Sequence, residues 1–463
     1  MKILTLAMTR RMHELASRYL FPGDGLEAAG VLICNQGSGT HYQRLVVKEF
    51  VGLPHELSDR RVGRVIWPFE AHFEPDAITK IDRLGQSVIT IHSHPGGGNA
   101  FSEIDDENDR ELFGSVNAWF DDDRVNGAAI MLPDGSIVAR AIRETGHFQH
   151  FRSVSVVGDN ISIFGEAEHK PLKDYEEKLS QTFGGGTLDR LRAMRIGVVG
   201  CSGTGSIIIE LLTRNCVGDL VIVDNDVLEE KNLNRVVNGT AMDVKAGRSK
   251  VEAIRGAIER TGLGTKVHVH DALTDSPEAV SALVDCDVLF GCVDSAFGRY
   301  HLECLASAYL IPYFDVGVNI DADGTGDIAA ADAVSHYIHP DGRDLWSRGA
   351  YDMDQVNAEN LRRTDPDYYL KQRAAGYLAA VGDEHPAVMS VNMQAACMAF
   401  NDFIARLHVF RFDRNREFAT QRVRLVHGCF ECETDDGEPH PFFKRYRGAG
   451  DGSLLVRNNI RRD

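Results

Sequence analysis

Residues 195–212 read RIGVVGCSGTGSIIIELL, and this stretch decides the fold. A short apolar run, Ile196 to Val199, reads as a buried strand. It leads into Gly200-Cys201-Ser202-Gly203-Thr204-Gly205 and then into an apolar helix. Glycines let backbone N–H groups approach phosphates, and a helix N-terminus favours negative charge. Gly200, Gly203 and Gly205 are therefore candidate nucleotide-binding positions. The order strand, glycine loop, helix predicts a Rossmann-like, doubly wound α/β domain. Taken alone, the loop also fits a dehydrogenase.

The next strand lies in DLVIVDNDVLEEKNLNRVV (219–237) and ends at Asp224. That is the right distance onward for a carboxylate that holds a ribose hydroxyl. Asp226, Asn232, Arg235 and Lys250 then gather polar and cationic groups, and Arg235 and Lys250 can neutralise a triphosphate. Asp294, in DCDVLFGCVDSAFGRYHL (285–302), follows another buried strand and can hold magnesium. An NAD-dependent dehydrogenase would show hydride-site residues in place of Arg235 and Lys250, and we find none.

This set resembles the ThiF/MoeB group, prokaryotic relatives of ubiquitin-activating enzymes. The glycine loop carries the resemblance together with Asp224-x-Asp226, Asn232-Leu233-Asn234-Arg235 and Gly247-Arg248-Ser249-Lys250. Val293-Asp294, Arg299-Tyr300 and IPYFDVGV (311–318) extend it over residues 190–320. The resemblance implies that Asp224 binds the ATP ribose, that Asn232, Arg235 and Lys250 contact the phosphates, and that Asp294 binds magnesium. It also implies a homodimer formed through this domain. The implied partner is a ubiquitin-like or sulfur-carrier protein with a C-terminal glycine, whose carboxylate is adenylated.

Departures from the group are visible. Ser202 replaces a second glycine, and its small size predicts tolerance. The segment YEEKLSQTFGGG (175–186) shows no assignable trans-acting arginine. Relatives often carry two Cys-x-x-Cys pairs, whereas this chain has only Cys429-x-x-Cys432, so a four-cysteine structural zinc is not expected. These two read as ordinary cysteines near a turn. Cys397 lies in VNMQAACMAFNDFIARL (391–407), which reads as a buried helix, so its thiol is expected in the core. Cys201 and Cys292 are expected to pack at the nucleotide loops.

The other informative stretch, IHSHPGGGNAFSEIDDEND (91–109), lies upstream. His92 and His94 are two apart, so on a strand both point the same way. Pro95 and three glycines can turn the chain back, bringing Asp105 toward them. Two imidazoles and a carboxylate suit a catalytic zinc, which keeps one position open. Ser102 can donate to an oxyanion beside the metal. Glu27, in GLEAAGVLIC (25–34), is an acid beside an apolar strand-like run and is the candidate general base. Glu27, His92-x-His94-Pro95 and Ser102-x-x-Asp105 are together similar to the signature of the JAB/MPN (JAMM) metalloproteases. That resemblance implies an α-β domain that cleaves peptide or isopeptide bonds after the C-terminus of ubiquitin-like proteins.

These readings predict an α/β chain with a JAB/MPN domain over 1–155, a helical linker over 156–193, and a ThiF/MoeB-like domain with a C-terminal extension over 194–463. The 463 residues and 43% hydrophobic content suit about three domain-sized cores. Net charge is −18, from 68 acidic and 50 basic residues, which argues against nucleic-acid binding. Nine cysteines without disulfide rhythm suit a reducing cytosol. No signal peptide or membrane span is evident, so a cytoplasmic location is expected. The expected function is zinc-dependent processing or removal of a ubiquitin-like or sulfur-carrier protein, with ATP-dependent adenylation of its terminal glycine. The alternatives are a deconjugating metalloprotease with a nucleotide-sensing domain and a non-catalytic MPN-type scaffold.

Overall fold

Alternating apolar runs between glycine-rich turns build two separate sheets. A computed structural model describes residues 2–55, 75–120, 122–143, 146–165, 169–375, 377–378 and 386–452. The chain divides into two compact units. One comprises Met1–Glu166, Ala308–Leu310 and Tyr446–Asn458, and the other Ala167–Ser307, Ile311–Arg445 and Asn459–Asp463.

The first unit holds β1 (Ile3–Thr9), β2 (Ala29–Ser38), β3 (Tyr42–Gly52), β4 (Ser87–Ser93) and β5 (Gly127–Met131). It continues with β6 (Ile137–Ile142), β7 (Phe148–His150), β8 (Ser153–Val157) and β9 (Ile161–Phe164). Their order in the sheet is β7-β6-β5-β4-β2-β3-β1-β8-β9. Both faces are covered, which is why β2 and β4 read as nearly continuous apolar runs. Ile89 and Ile91 of β4 join one core with Leu4, Leu6 and Leu32, while Val88 joins a second core with Phe113, Val116 and Phe120. Phe113, Val116 and Phe120 come from the Glu103–Phe120 helix. By the period-2 alternation of a strand, Val88 and His92 share the face of β4 that this helix covers.

The expected boundary at 155 falls inside β8, which pairs with β1, and β9 follows in the same sheet. The first unit thus extends through the β8–β9 hairpin. The stretch read as helix plus linker forms two helices, Glu177–Phe183 and Gly185–Ala193, joined at Gly184 with φ +79.

The second unit holds β10 (Arg195–Val199), β11 (Asp219–Val223), β12 (Lys266–His270) and β13 (Val288–Gly291). It also holds β14 (Tyr313–Ala322), β15 (Ile328–Ile338), β16 (Thr420–Arg424) and β17 (Cys429–Glu433). The sheet order is β12-β11-β10-β13-β14-β15-β16-β17. The strands from β12 to β14 are parallel, and the rest are antiparallel. Strand order reverses beside β10: β11 and β12 lie on one side, β13 and β14 on the other. That reversal opens a crevice at the carboxyl ends of β10 and β13, the usual ligand position in such sheets. The Met389–Leu407 helix closes the core here, with Phe403 edge-on to Phe290 and Phe314 at 5.8 and 6.0 Å. No described helix is long and apolar enough to cross a membrane.

Candidate metal centre and nucleotide site

The first candidate site forms where β4 ends. His92 Nε2 and His94 Nε2 stand 3.0 Å apart. Asp105 Oδ1 is 3.4 Å from His92 Nε2, and Oδ2 is 3.8 Å from His94 Nε2. Ligand atoms of all three lie within 4.8 Å of one another, the only such group of three among the described residues. Four ligands at about 2.0–2.1 Å from a tetrahedral zinc would be separated by roughly 3.3 Å, so the donor set and spacing both fit. His94 Nδ1 contacts the Gly98 carbonyl at 2.7 Å, which turns Nε2 toward the site. Burial lowers the His92 pKa to about 4, against the pull of Asp105, so the imidazole is neutral and able to ligate.

Asp105 occupies the first turn of its helix, fixed by a reciprocal cap. Its Oδ2 accepts from the Ser102 backbone N–H at 2.7 Å and from the Ser102 hydroxyl at 2.8 Å. Asp105 N–H donates back to Ser102 Oγ at 3.2 Å. The residue expected to face an oxyanion thus orients the carboxylate ligand here. Glu27 lies half-buried in the loop before β2. The β2–β4 register pairs Ala29 with His92, and Ser93 N–H donates to the Ala28 carbonyl at 2.9 Å. Continuing that register sets the Glu27 backbone beside His94.

Arg140 was not foreseen. It is 3% exposed and sandwiched between Phe101 and Phe148, 3.7 and 3.9 Å from their ring centroids. Its guanidinium bonds Asp106, and it donates to Asp109 at 2.6 and 3.1 Å. This grips the helix turn that follows Asp105. Burial still pushes the Asp109 carboxyl up to about 6.

In the second unit, each loop glycine has a steric reason. Gly200 has φ +87, and a Cβ there would lie 2.5 Å from the Cys292 carbonyl oxygen. A Cβ on Gly205 would meet the Gly200 carbonyl oxygen at 1.7 Å. Ser202 holds the N-cap of the Gly203–Arg214 helix at φ −92, a conformation a side chain accepts. Asp224 ties the loop to the end of β11. Its carboxylate accepts from Cys201 N–H at 2.6 Å and from Asp226 N–H at 2.9 Å, and burial raises its pKa. Lys250 Nζ contacts Asp226 at 2.6 Å and Asp224 at 3.8 Å, so these three expected residues meet.

The remaining residues are placed less directly. Asn232 Oδ1 accepts from Glu229 N–H at 3.0 Å and caps a short turn. Arg235 donates to the Lys231 carbonyl at 2.8 Å and to Asn234 at 3.0 Å. Its Cδ lies 3.4 Å from where a Cβ on Gly203 would stand. Asp294 is exposed beyond β13, and no ion pair among the described residues joins it to Lys250. The helix after it starts under Glu359, which accepts from Ala296 and Phe297 N–H at 3.1 and 2.7 Å.

The cysteines separate clearly. Cys201 and Cys304 are buried with thiols raised by burial, and Cys292 is pushed up to about 12. Cys397 contradicts its expected core position. It is exposed, on the side of its helix that also shows Met389 and Met393. Cys429 and Cys432 lie three apart on β17, an odd spacing that points them to opposite faces.

Residues 6–140 match the family of prokaryotic homologs of the JAB domain, and residues 175–332 match the ThiF family. The chain is thus a fusion of a JAB-type domain and a ThiF-type domain. It is similar to ubiquitin-like modifier-activating enzyme 5 of Drosophila willistoni, 27% identical over 146 residues, 29% of this chain and 35% of that protein. The Caenorhabditis elegans protein of that name is 30% identical over 145 residues, covering 29% and 34%. Adenylyltransferase and sulfurtransferase UBA4 of Candida glabrata is 29% identical over 118 residues, covering 25% and 27%. The chain thus spans about a third or less of the length of these relatives. Among solved structures, E. coli MccB with ATP aligns at a TM-score of 0.43 and 15% identity, over 58% of this chain and 73% of that one.

Proposed function

We propose that the chain is a dual enzyme acting on the tail of a ubiquitin-like or sulfur-carrier protein. The JAB-type unit hydrolyses a peptide or isopeptide bond after the terminal glycine, exposing that glycine or removing the modifier from a target. The ThiF-type unit adenylates the glycine with ATP. The hydrolytic half rests on one observation: His92, His94 and Asp105 bring three ligand atoms within 4.8 Å of one another. His92, His94 and Asp105 would hold zinc, which when bound supplies a Lewis acid for the scissile carbonyl. Glu27 takes a proton from the attacking water and passes it to the leaving amine. Ser102 turns its hydroxyl from Asp105 to the oxyanion.

In the second unit, the tail carboxylate attacks the α-phosphate and pyrophosphate leaves. Repulsion between anions is the obstacle. Arg235, Lys250 and the N-terminus of the Gly203–Arg214 helix offset it, with Asp294 holding magnesium. Asp224 binds the ribose. Weakly acidic thiols at buried Cys201 and Cys304 and at part-buried Cys292 favour an enzyme that stops at the adenylate and passes it to another carrier. We place the protein in the cytoplasm as a homodimer through the ThiF-type unit. Light scattering at micromolar concentration tests the dimer, and a monomer there would contradict it.

The experiment for the hydrolase is Glu27→Gln, assayed on a ubiquitin-like protein with a C-terminal extension. We expect one bound zinc per chain in both forms and loss of cleavage in the variant alone. A wild-type protein without stoichiometric zinc, or a variant that cuts normally, contradicts the assignment.

A further inference from the structure

Two of the three loop glycines are explained by backbone crowding, but Gly203 is explained by a side chain far along the chain. A Cβ at Gly203 would lie 2.2 Å from the carboxamide nitrogen of Asn392. Asn392 belongs to the Met389–Leu407 helix, which packs along the Gly203–Arg214 helix. The residue is 3% exposed. Among the described residues its carboxamide makes no hydrogen bond, yet it is not among the polar groups sealed away from solvent. An amide this nearly buried and still open at its polar end is placed to bond a ligand at the loop, since no group of the chain supplies its partner.

Three features converge at this point. The first turn of the Gly203–Arg214 helix leaves backbone N–H groups without helical partners and carries a partial positive charge. The Arg235 side chain reaches the same spot. The Asn392 carboxamide adds a neutral donor that needs no counter-ion. All three favour an anion with several acceptor oxygens. The Asp224 carboxylate lies at the other side of the loop, against Cys201 N–H.

We propose that Asn392 is a phosphate-binding residue, its carboxamide donating to a phosphate of a nucleotide seated at the start of the Gly203–Arg214 helix. The inference rests on the nucleotide reading given above and adds a residue from a helix outside every glycine-loop motif. It also gives Gly203 a second role: the glycine leaves room for the carboxamide as well as for the ligand.

The test compares binding of ATP and of adenosine to the full chain by calorimetry. Asn392→Ala should weaken ATP about tenfold or more, the usual loss for a hydrogen bond to a charged group. Asn392→Asp should weaken it further, because a carboxylate would face the phosphates. Adenosine affinity should stay at the wild-type value in both. If the Asn392 variants fail to fold, Gly203→Ala fills the carboxamide's space while Asn392 stays in place, and should give the same loss of ATP alone. Wild-type ATP affinity in Asn392→Ala overturns the proposal. So does an equal loss for ATP and adenosine, which would mark a purely structural role. A wild-type chain that binds no ATP overturns the nucleotide reading itself, and this proposal with it.

Discussion

At the scale of single residues, the candidate metal centre depends on a cation outside its three ligand residues. Asp105 sits at a helix start, where fraying would let it drift from His92 and His94. Arg140 prevents this by joining β6 to Asp106 and Asp109, one turn of the same helix. Arg140→Met keeps an apolar stem between Phe101 and Phe148 but strands the Asp109 carboxyl in a buried place. We expect zinc affinity to fall about 10–100-fold, as for other groups that orient ligands. Equilibrium dialysis of zinc measures it, with Val116→Ala as a control that loosens the same helix without touching its first turn. Unchanged affinity in Arg140→Met would show that the helix cap alone holds Asp105. None of this was legible from the sequence. His92, His94 and Asp105 are neighbours in the chain and announce themselves by spacing. Arg140 arrives through β-pairing, and its partners look like ordinary surface acids.

At the scale of elements, the parts set by local pattern were readable. The Pro-Asp-Gly turn between β5 and β6, the strand before the glycine loop and the strand ending at Asp224 all stand as expected. The Met389–Leu407 helix was also foreseen, but the depth of its thiol was not. Its apolar residues run over more than one face, so hydrophobicity did not say which face is covered, and Cys397 fell on the open one. A second buried group on a helix gives a pH prediction. Glu303, on the Ala296–Tyr309 helix, accepts from Leu345 N–H and Tyr351 O–H, both at 2.6 Å. Burial pushes its carboxyl up to about 8, from an ordinary value of 4.5. The folded chain therefore keeps a proton that the unfolded chain releases, and the group's contribution to stability falls as pH rises from about 4.5 to 8. Glu303→Gln keeps an acceptor without the charge. Its melting temperature relative to wild type should rise steadily across that window, and a difference flat with pH would contradict the assignment.

At the scale of the molecule, two sheets with separate cores carry two candidate sites on one chain. The glycine loop and the H-x-H motif each declared a domain, because each packs its chemistry into a short stretch. The unit boundary was less legible, since β8 and β9 belong to the first sheet although the linker was expected to begin at residue 156. We propose that the two sites act independently on the same kind of tail. The most direct test is a crossed assay of Glu27→Gln and Asp294→Ala. Each is measured for zinc-dependent cleavage of an extended ubiquitin-like protein and for magnesium-dependent ATP–pyrophosphate exchange with the trimmed form. Lost electrostatic stabilisation at either site should cost several kcal/mol of barrier, about 10²–10³ in rate. We expect Glu27→Gln to lose cleavage and keep exchange, and Asp294→Ala to lose exchange and keep cleavage. Exchange at the wild-type rate in Asp294→Ala would contradict the account and make the nucleotide unit a sensor.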